Sequence, residues 1–474
     1  MRWLLVMVLT GVVVLVLSPG CDESDADADA DGDGDVDGDG DGDGDGDGDG
    51  DVDSDADGDG DGDGDGDGDG DGDGDGDGDA DSDADGDTTI DPACTSIRLT
   101  SYDASNGGWC EFDRTLPVLP DFVREGLTTA VAEPWAGSSF DGAFGEACGE
   151  CWEISTARAT RIVMVHDLCP IEGNPICAGS HFHFDLSQES AAALGTNGLD
   201  AASARVVPCP VEGNIAVSIN NWNQWGYMRA AFVNHRIAIR EAEIRMAPDG
   251  PWLAFERSGG AWQIVDGPVF DGGAGEGVSF RFTSASGDVV TSSTVVPFQP
   301  VSDDLGNVPQ VAELDVQFEV DPPGGACPYE PPALVYGDGW GGIDEVRWAP
   351  NPWTGTTITE TSEGCWDDSA SCLRIDGMGD WSGLHLYYWQ GFPEDSFDRL
   401  TLWARTLEGT AQIRIGPSHE GTTCIDETVD LTTEWSYIDI EIAGPCDDLE
   451  WLSSVTAQNG GPAVPMLFDE IRFE

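Results

Sequence analysis

The sequence predicts a mainly β protein: a compact β-barrel, then a β-sandwich, then a third β-rich domain, all behind a long acidic leader. Three observations carry this. From residue 94 onward the apolar residues recur with period two in short runs closed by Gly, Pro and Asn, the signature of half-buried strands. Helical periodicity is confined to one short stretch, Ser187 to Leu194. Twelve cysteines follow Cys21, an even number of the kind that staples exported β domains.

The N-terminus sets the compartment. Arg2 precedes an apolar run from Trp3 to Leu17, too short for a stable transmembrane helix. The run ends in Leu17-Ser18-Pro19-Gly20-Cys21, which resembles a bacterial lipobox. That resemblance implies a signal peptide over 1–21, lipidation of Cys21, and a cell-envelope location, anchored at the outer membrane or cell surface. Ordinary secretory cleavage nearby is the alternative.

Residues 22–91 alternate Asp with Gly, Ala, Ser or Val and hold 35 of the chain's 92 acidic residues, with no basic one. Such a segment has almost no apolar surface to offset chain entropy, and its charges repel, so a disordered, solvated tether is expected. Seventy residues of flexible coil span about 45 Å on average. Asp-x-Asp-x-Asp-Gly resembles the start of an EF-hand loop, but the bidentate Glu at the twelfth position and the flanking helices are missing, which leaves loose counterion condensation.

Outside the tether, 57 acidic residues still face 19 basic ones, every one of them Arg. No basic stripe appears, so nucleic acid is excluded as a partner, and a neutral glycan suits this surface better than an anionic polymer.

Residues 94–210 give the barrel. Arg161-Ile162-Val163-Met164-Val165-His166-Asp167 alternates as a strand. Five blocks then occur in one order: Thr100-Ser101-Tyr102-Asp103-Ala104, Cys148-Gly149-Glu150-Cys151-Trp152, His166-Asp167-Leu168-Cys169-Pro170, His183-Phe184-Asp185-Leu186-Ser187, and Val207-Pro208-Cys209-Pro210 leading to Asn214. This series resembles the expansins and the cellulases related to them. The resemblance covers about Thr100 to Val320 and implies a six-stranded double-psi β-barrel followed by an Ig-like carbohydrate-binding sandwich. It also implies disulfides Cys110 with Cys148 and Cys151 with Cys209. Cys169 and Cys177 are close enough in sequence to close a short loop, Cys94 and Cys327 are left as an inferred pair, and Cys365, Cys372, Cys424 and Cys446 pair among themselves. A zinc site at Cys148-x-x-Cys151 does not fit an oxidising compartment.

An inverting glycosidase needs an acid and a second carboxylate about 6.5–9.5 Å apart, so that the second can activate water. The resemblance assigns Asp185 as the acid, the residue that expansins need for wall loosening. Asp167 would bind glycan or raise the proton affinity of Asp185. Thr100 and Tyr102 would share its groove face as hydrogen-bonding groups. The cellulases place their base where this chain has Ala104, and Asp103, one residue away, points to the opposite face. His181 and His183 are candidate ligands or bases, with His183 read as a packing or hydrogen-bonding residue and Trp152 as core.

Residues 211–322 give the sandwich. Ile215 to Ile219, Arg229 to Val233, Glu241 to Met246, Val278 to Thr283 and Leu314 to Val320 are the expected strands. The family's binding surface is a row of aromatics that stack on sugar rings. Trp225-Gly226-Tyr227 ahead of Asn234-His235 resembles that block, and makes Trp222, Trp225, Tyr227 and Trp262 the expected carbohydrate platform, with Trp252 buried. Residues 323–332 are Pro- and Gly-rich and read as a linker.

Residues 333–474 open with Val335-Tyr336-Gly337-Asp338-Gly339-Trp340 and close with Phe468-Asp469-Glu470-Ile471-Arg472-Phe473. These motifs resemble bacterial jelly-roll carbohydrate-binding modules. Trp340, Trp381, Tyr387, Tyr388 and Trp389 exceed what such a core needs and suggest a further glycan site. Asp338, Asp469 and Glu470 are the expected set for a structural calcium, if one binds; no other cofactor is required. Together these readings point to a monomeric, surface-anchored protein that loosens cellulose, xylan or peptidoglycan without hydrolysis. A lytic endoglucanase or peptidoglycan lytic transglycosylase, and a purely adhesive lipoprotein, are the alternatives.

Overall fold

The computed structural model describes residues 94–104, 107–137, 144–178, 181–196, 198–271, 276–302, 308–320, 325–343, 346–353, 355–379 and 381–474. The signal peptide, Cys21 and the acidic tether, and the first residues of the 323–332 linker, lie outside them. The protein is mainly β, as its patterning predicts. No helix among the described residues is long and apolar enough to cross a membrane.

Six strands, β1 (Thr95–Tyr102), β2 (Thr128–Ala132), β3 (Cys151–Ser155), β4 (Thr160–Cys169), β5 (Phe182–Ser187) and β6 (Asp200–Val207), close a barrel in the order β1-β5-β2-β4-β3-β6. β1 with β5 and β2 with β4 run parallel, and the other pairs are antiparallel. Alternation fills the interior. Ile97 and Leu99 from β1, Val163 and Val165 from β4, and Phe184 and Leu186 from β5 are buried together with Trp152. Among the described residues two α-helices flank the barrel, α1 (Asp121–Arg124) and α2 (Gln188–Leu194). Ser187 caps α2, its hydroxyl accepting the Ser190 N–H, and Gly195 ends it in the left-handed region at φ 70°.

The sandwich consists of two five-stranded sheets. One holds β7 (Ala216–Trp222), β8 (Met228–Val233), β11 (Glu256–Ser258), β12 (Ala261–Ile264) and β16 (Gln310–Glu313) in the order β11-β12-β8-β7-β16. The other runs β10 (Leu253–Ala254), β9 (Ile239–Met246), β13 (Gly277–Ser284), β14 (Val289–Thr291), with β15 (Val296–Pro297) pairing β13. The expected strand Leu314 to Val320 is not one. The last strand ends at Glu313, and the apolar alternation of Leu314, Val316 and Phe318 serves to seat a coil on Ile215, whose carbonyl accepts the Leu314 N–H and whose own N–H donates to the Val316 carbonyl.

The third domain is also two-layered. One sheet comprises β17 (Leu334–Tyr336), β21 (Thr357–Thr361), β22 (Cys372–Asp376), β24 (Arg399–Thr406), β28 (Ser436–Glu441) and β30 (Met466–Phe473); its central order is β22-β30-β24-β28. The facing sheet comprises β20 (Ala349–Pro352), β23 (Gly383–Pro393), β25 (Ala411–His419), β26 (Thr422–Thr423), β27 (Glu427–Leu431) and β29 (Trp451–Asn459). β18 (Gly342–Ile343) and β19 (Val346–Arg347) form a small hairpin. Trp348, Tyr388, Phe392 and Phe473 pack between the layers.

Six disulfides join Cys94–Cys327, Cys110–Cys148, Cys151–Cys209, Cys169–Cys177, Cys365–Cys372 and Cys424–Cys446, matching the expected pairs and assigning the last four. Barrel and sandwich share an apolar seam of Phe112, Cys148, Val207, Ala231 and Val233. The third domain reaches the barrel through Gln390, whose amide pairs with the Ala201 backbone like a strand, donating to its carbonyl at 2.8 Å and accepting its N–H at 2.9 Å.

Candidate functional site

Period two places Arg98, Thr100 and Tyr102 on the face of β1 opposite Ile97 and Leu99. The parallel register sets Arg98 beside His183 and Thr100 beside Asp185 of β5. A directed chain of hydrogen bonds results. Arg98 Nη2 donates to His183 Nδ1 at 3.2 Å, and since a guanidinium can only donate, the ring proton sits on Nε2. Nε2 lies 2.8 Å from Thr100 Oγ1, and the Thr100 hydroxyl donates in turn to Asp185 Oδ1 at 2.7 Å. Arg98 and His183 are buried, and Arg98 also donates to the carbonyls of Ile176 and Ala178, beside the Cys169–Cys177 disulfide.

Burial pushes the Asp185 carboxyl above the ordinary carboxylate range; the Thr100 hydrogen bond opposes that rise and the charge of Asp167 adds to it. With Oδ1 committed to accepting from Thr100, Oδ2 is the oxygen left to take the proton when the carboxyl is neutral. Asp167 is built differently. A bulge in β4 opposite Thr129 and Ala130 skips His166 and turns Asp167 to the groove. Its Oδ1 accepts the N–H groups of Trp109 at 2.7 Å and Leu168 at 2.9 Å, and its Oδ2 accepts the Tyr102 hydroxyl at 3.1 Å. Burial, with Asp167 adding, holds the Tyr102 phenol far above its ordinary range, so it stays a donor. Thr100, Tyr102, Asp167 and Asp185 therefore meet in one groove. Ala104 lies beyond the end of β1 and Asp103 is exposed to solvent. His183 is a buried hydrogen-bonding residue and Trp152 is core, whereas His181 is half-buried, one residue before β5.

The sandwich corrects the expected platform. Trp222 is 1% and Trp262 4% exposed, because β7 and β12 turn them inward with Met228 and Ala230 as their register partners. Trp222 packs edge-on against Phe270 and Phe298, and Trp262 lies beneath the Arg257 guanidinium, 3.7 Å from the ring centre. Neither ring is available to a sugar. Gly260, two residues before Trp262, is pressed into the barrel: a Cβ there would lie 2.6 Å from the Trp109 carbonyl oxygen. Trp252 is not buried but half-exposed between Arg245 and Arg281.

What the sheet does present is Trp225, 73% exposed on the β7–β8 turn, and half-buried Tyr227. Gln263, unlike Trp262, points outward. Its Oε1 accepts from Arg229 at 3.1 Å and from the Tyr227 hydroxyl at 3.5 Å. Arg229 also donates to Glu111 of the barrel at 2.7 Å, so this face is held rigidly to the barrel. Asn234-His235 sits at the junction of barrel and sandwich. Asn234 donates to the carbonyls of Glu212 and Asn214, and His235 is buried against Gly149, held down to about 4 by burial and then by Arg257.

In the third domain Tyr388 is core, Trp340 donates its indole N–H to Glu360, Trp389 is half-buried near Gly198 of the barrel, and Trp381 and Tyr387 are exposed. Asp338 and Asp469 do come together: Ser369 Oγ lies within hydrogen-bond distance of both, at 3.1 and 3.2 Å. Asp338 Oδ1 also takes the Ala370 N–H and Asp469 Oδ2 the Trp366 N–H, while Glu470 pairs with Arg472. These carboxylates form a clasp met by protein donors and do not fit a calcium site.

A family described as EXPB1-like domain 1 matches residues 97–212. Expansin-like protein 5 of Dictyostelium discoideum is 29% identical over 160 residues, covering 32% of this chain and 62% of that protein. Expansin-like protein 2 of the same organism is 30% identical over 159 residues, 32% of this chain and 35% of that protein. The chain thus spans between about a third and three-fifths of the length of these relatives. Among solved structures, the apo Clavibacter michiganensis expansin is 22% identical with a TM-score of 0.36, covering 48% of this chain and 100% of that one. A family 11 carbohydrate-binding module from Clostridium thermocellum is 12% identical with a TM-score of 0.21, covering 27% of this chain and 87% of that one.

Proposed function

We propose, from the premise that residues 97–212 are an expansin-type domain, that this protein binds a β-linked cell-wall polysaccharide and loosens it without hydrolysis. The observation that carries this reading is the asymmetry of the two groove carboxylates. Asp185 is a half-buried acid that keeps its proton to higher pH than an ordinary carboxyl. Asp167 has both oxygens occupied by three donors, so it is a fixed acceptor and not a base poised over water. Ala104 stands where the related cellulases carry that base, and without a second carboxylate an inverting cleavage lacks the group that activates its water.

In this mechanism Asp185 Oδ2–H donates to a glycan oxygen and the Thr100 and Tyr102 hydroxyls complete the polar wall. The groove thereby replaces hydrogen bonds between neighbouring chains with hydrogen bonds to protein. Trp225 and Tyr227 grip the same polymer through the apolar C–H faces of its rings. On its lipobox-like sequence, the protein is anchored to the envelope through Cys21; labelled palmitate that is incorporated into the full chain and lost in Cys21→Ser tests that part. The loosening reading is tested by weakening of a cellulose network that depends on Asp185 and releases no sugar.

A further inference from the structure

We propose that the third domain holds a second binding cleft, for a neutral β-linked pyranose chain, on the side of its β24–β28–β30 sheet turned away from the core. Alternation in β24 sends Leu400, Leu402 and Ala404 into the core and Trp403 outward; in β28, Ile438 and Ile440 go inward and Tyr437 outward. The register sets Trp403 directly beside Tyr437. A third ring is brought from outside the sheet. The Cys365–Cys372 disulfide closes a short loop, the Trp366 N–H is fixed on the buried Asp469, and the Trp366 indole lies on Trp403 with centroids 3.6 Å apart and planes 13° off parallel.

These rings line a cavity of about 480 Å³ together with Asp338, Glu470 and Arg472, within the size range of small-ligand sites. Tyr437 is 51% exposed and lies 5.1 Å from Trp403. A core gains nothing from aromatics on this side of a sheet, whereas a pyranose offers them a C–H face. The rim decides the class of glycan. Asp367, Asp368, Glu470 and Glu474 accept hydrogen bonds from hydroxyls and repel uronates, and Arg472 is already paired with Glu470.

This inference extends the polysaccharide reading to a separate site, and the two fail separately. The full chain carrying Trp225→Ala and Tyr227→Ala is titrated calorimetrically with cellohexaose, xylohexaose and hexagalacturonate, with tryptophan emission recorded in parallel. The cleft predicts residual binding of one of the neutral oligosaccharides, with a change in emission, and a loss of about tenfold on adding Tyr437→Ala, whose exposed ring can be removed without unfolding the domain. Hexagalacturonate should not bind. The cleft is overturned if the platform variant abolishes all binding, if Tyr437→Ala changes nothing, or if hexagalacturonate binds as well as the neutral chains. Binding by the parent chain that is insensitive to the platform variant but lost with Tyr437→Ala would instead overturn the sandwich platform and leave the cleft standing.

Discussion

The Thr100 hydroxyl donates to Asp185 Oδ1 at 2.7 Å while receiving the proton of His183 Nε2 at 2.8 Å, so the acid is held by a hydroxyl whose direction is set from behind. Arg98 sets that direction, because its guanidinium obliges His183 to accept on Nδ1. The groove therefore has one oxygen reserved and one left to carry the proton.

The neighbours of Asp185 should move its titration in opposite directions. Thr100 lowers the Asp185 pKa and Asp167 raises it. Loosening that needs the protonated acid falls as pH rises through that pKa. The alkaline limb of the pH profile should thus shift upward in Thr100→Val and downward in Asp167→Asn. Shifts in the same direction would contradict the assignment.

The same burial has a stability cost. A carboxyl whose folded pKa is raised weakens folding increasingly as pH climbs above the unfolded value of 3.8. Asp185→Asn should therefore raise the Tm near pH 7 while leaving it little changed near pH 3.5, even as it removes loosening. Thermal scans at the two pH values check this.

His235 predicts the opposite slope. Its folded pKa is about 4 against 6.5 unfolded, so below pH 6.5 the unfolded chain takes up the proton first and stability is lost as pH falls toward 4. His235→Gln should flatten that part of the Tm-versus-pH curve. Because His235 sits on Gly149 of the barrel, acid should also loosen the barrel–sandwich seam, measurable as faster amide exchange in residues 145–150.

Trp225 and Trp262 should separate binding from folding. Trp225→Ala removes an exposed ring and should weaken polysaccharide binding about tenfold with an unchanged Tm. Trp262→Ala empties a core position and should cost about 3–5 kcal/mol of stability. Equal Tm losses in both would place Trp225 in the core.

The groove was legible from sequence because one period-two rule governs both of its parallel strands: once Asp185 is placed, Thr100 and Tyr102 follow. Arg98 is not marked by the motif, since it lies two residues before it, although it shares the same parity. The platform was harder to read. In a sandwich strand aromatics occur on both faces, and only the partner register, Trp222 with Met228 and Trp262 with Ala230, tells inside from outside. In the third domain the pattern Leu400-x-Leu402-x-Ala404 already sends Trp403 outward, but Trp366 joins it only through the disulfide loop, a long-range contact that strand alternation does not contain.

The central claim, an acid that loosens without cutting, is tested most directly by applying the full chain and its Asp185→Asn variant to a stretched cellulose network, recording creep and new reducing ends together. The account predicts creep with the parent chain, none with the variant, and no new reducing ends from either. New reducing ends that vanish in Asp185→Asn would contradict it.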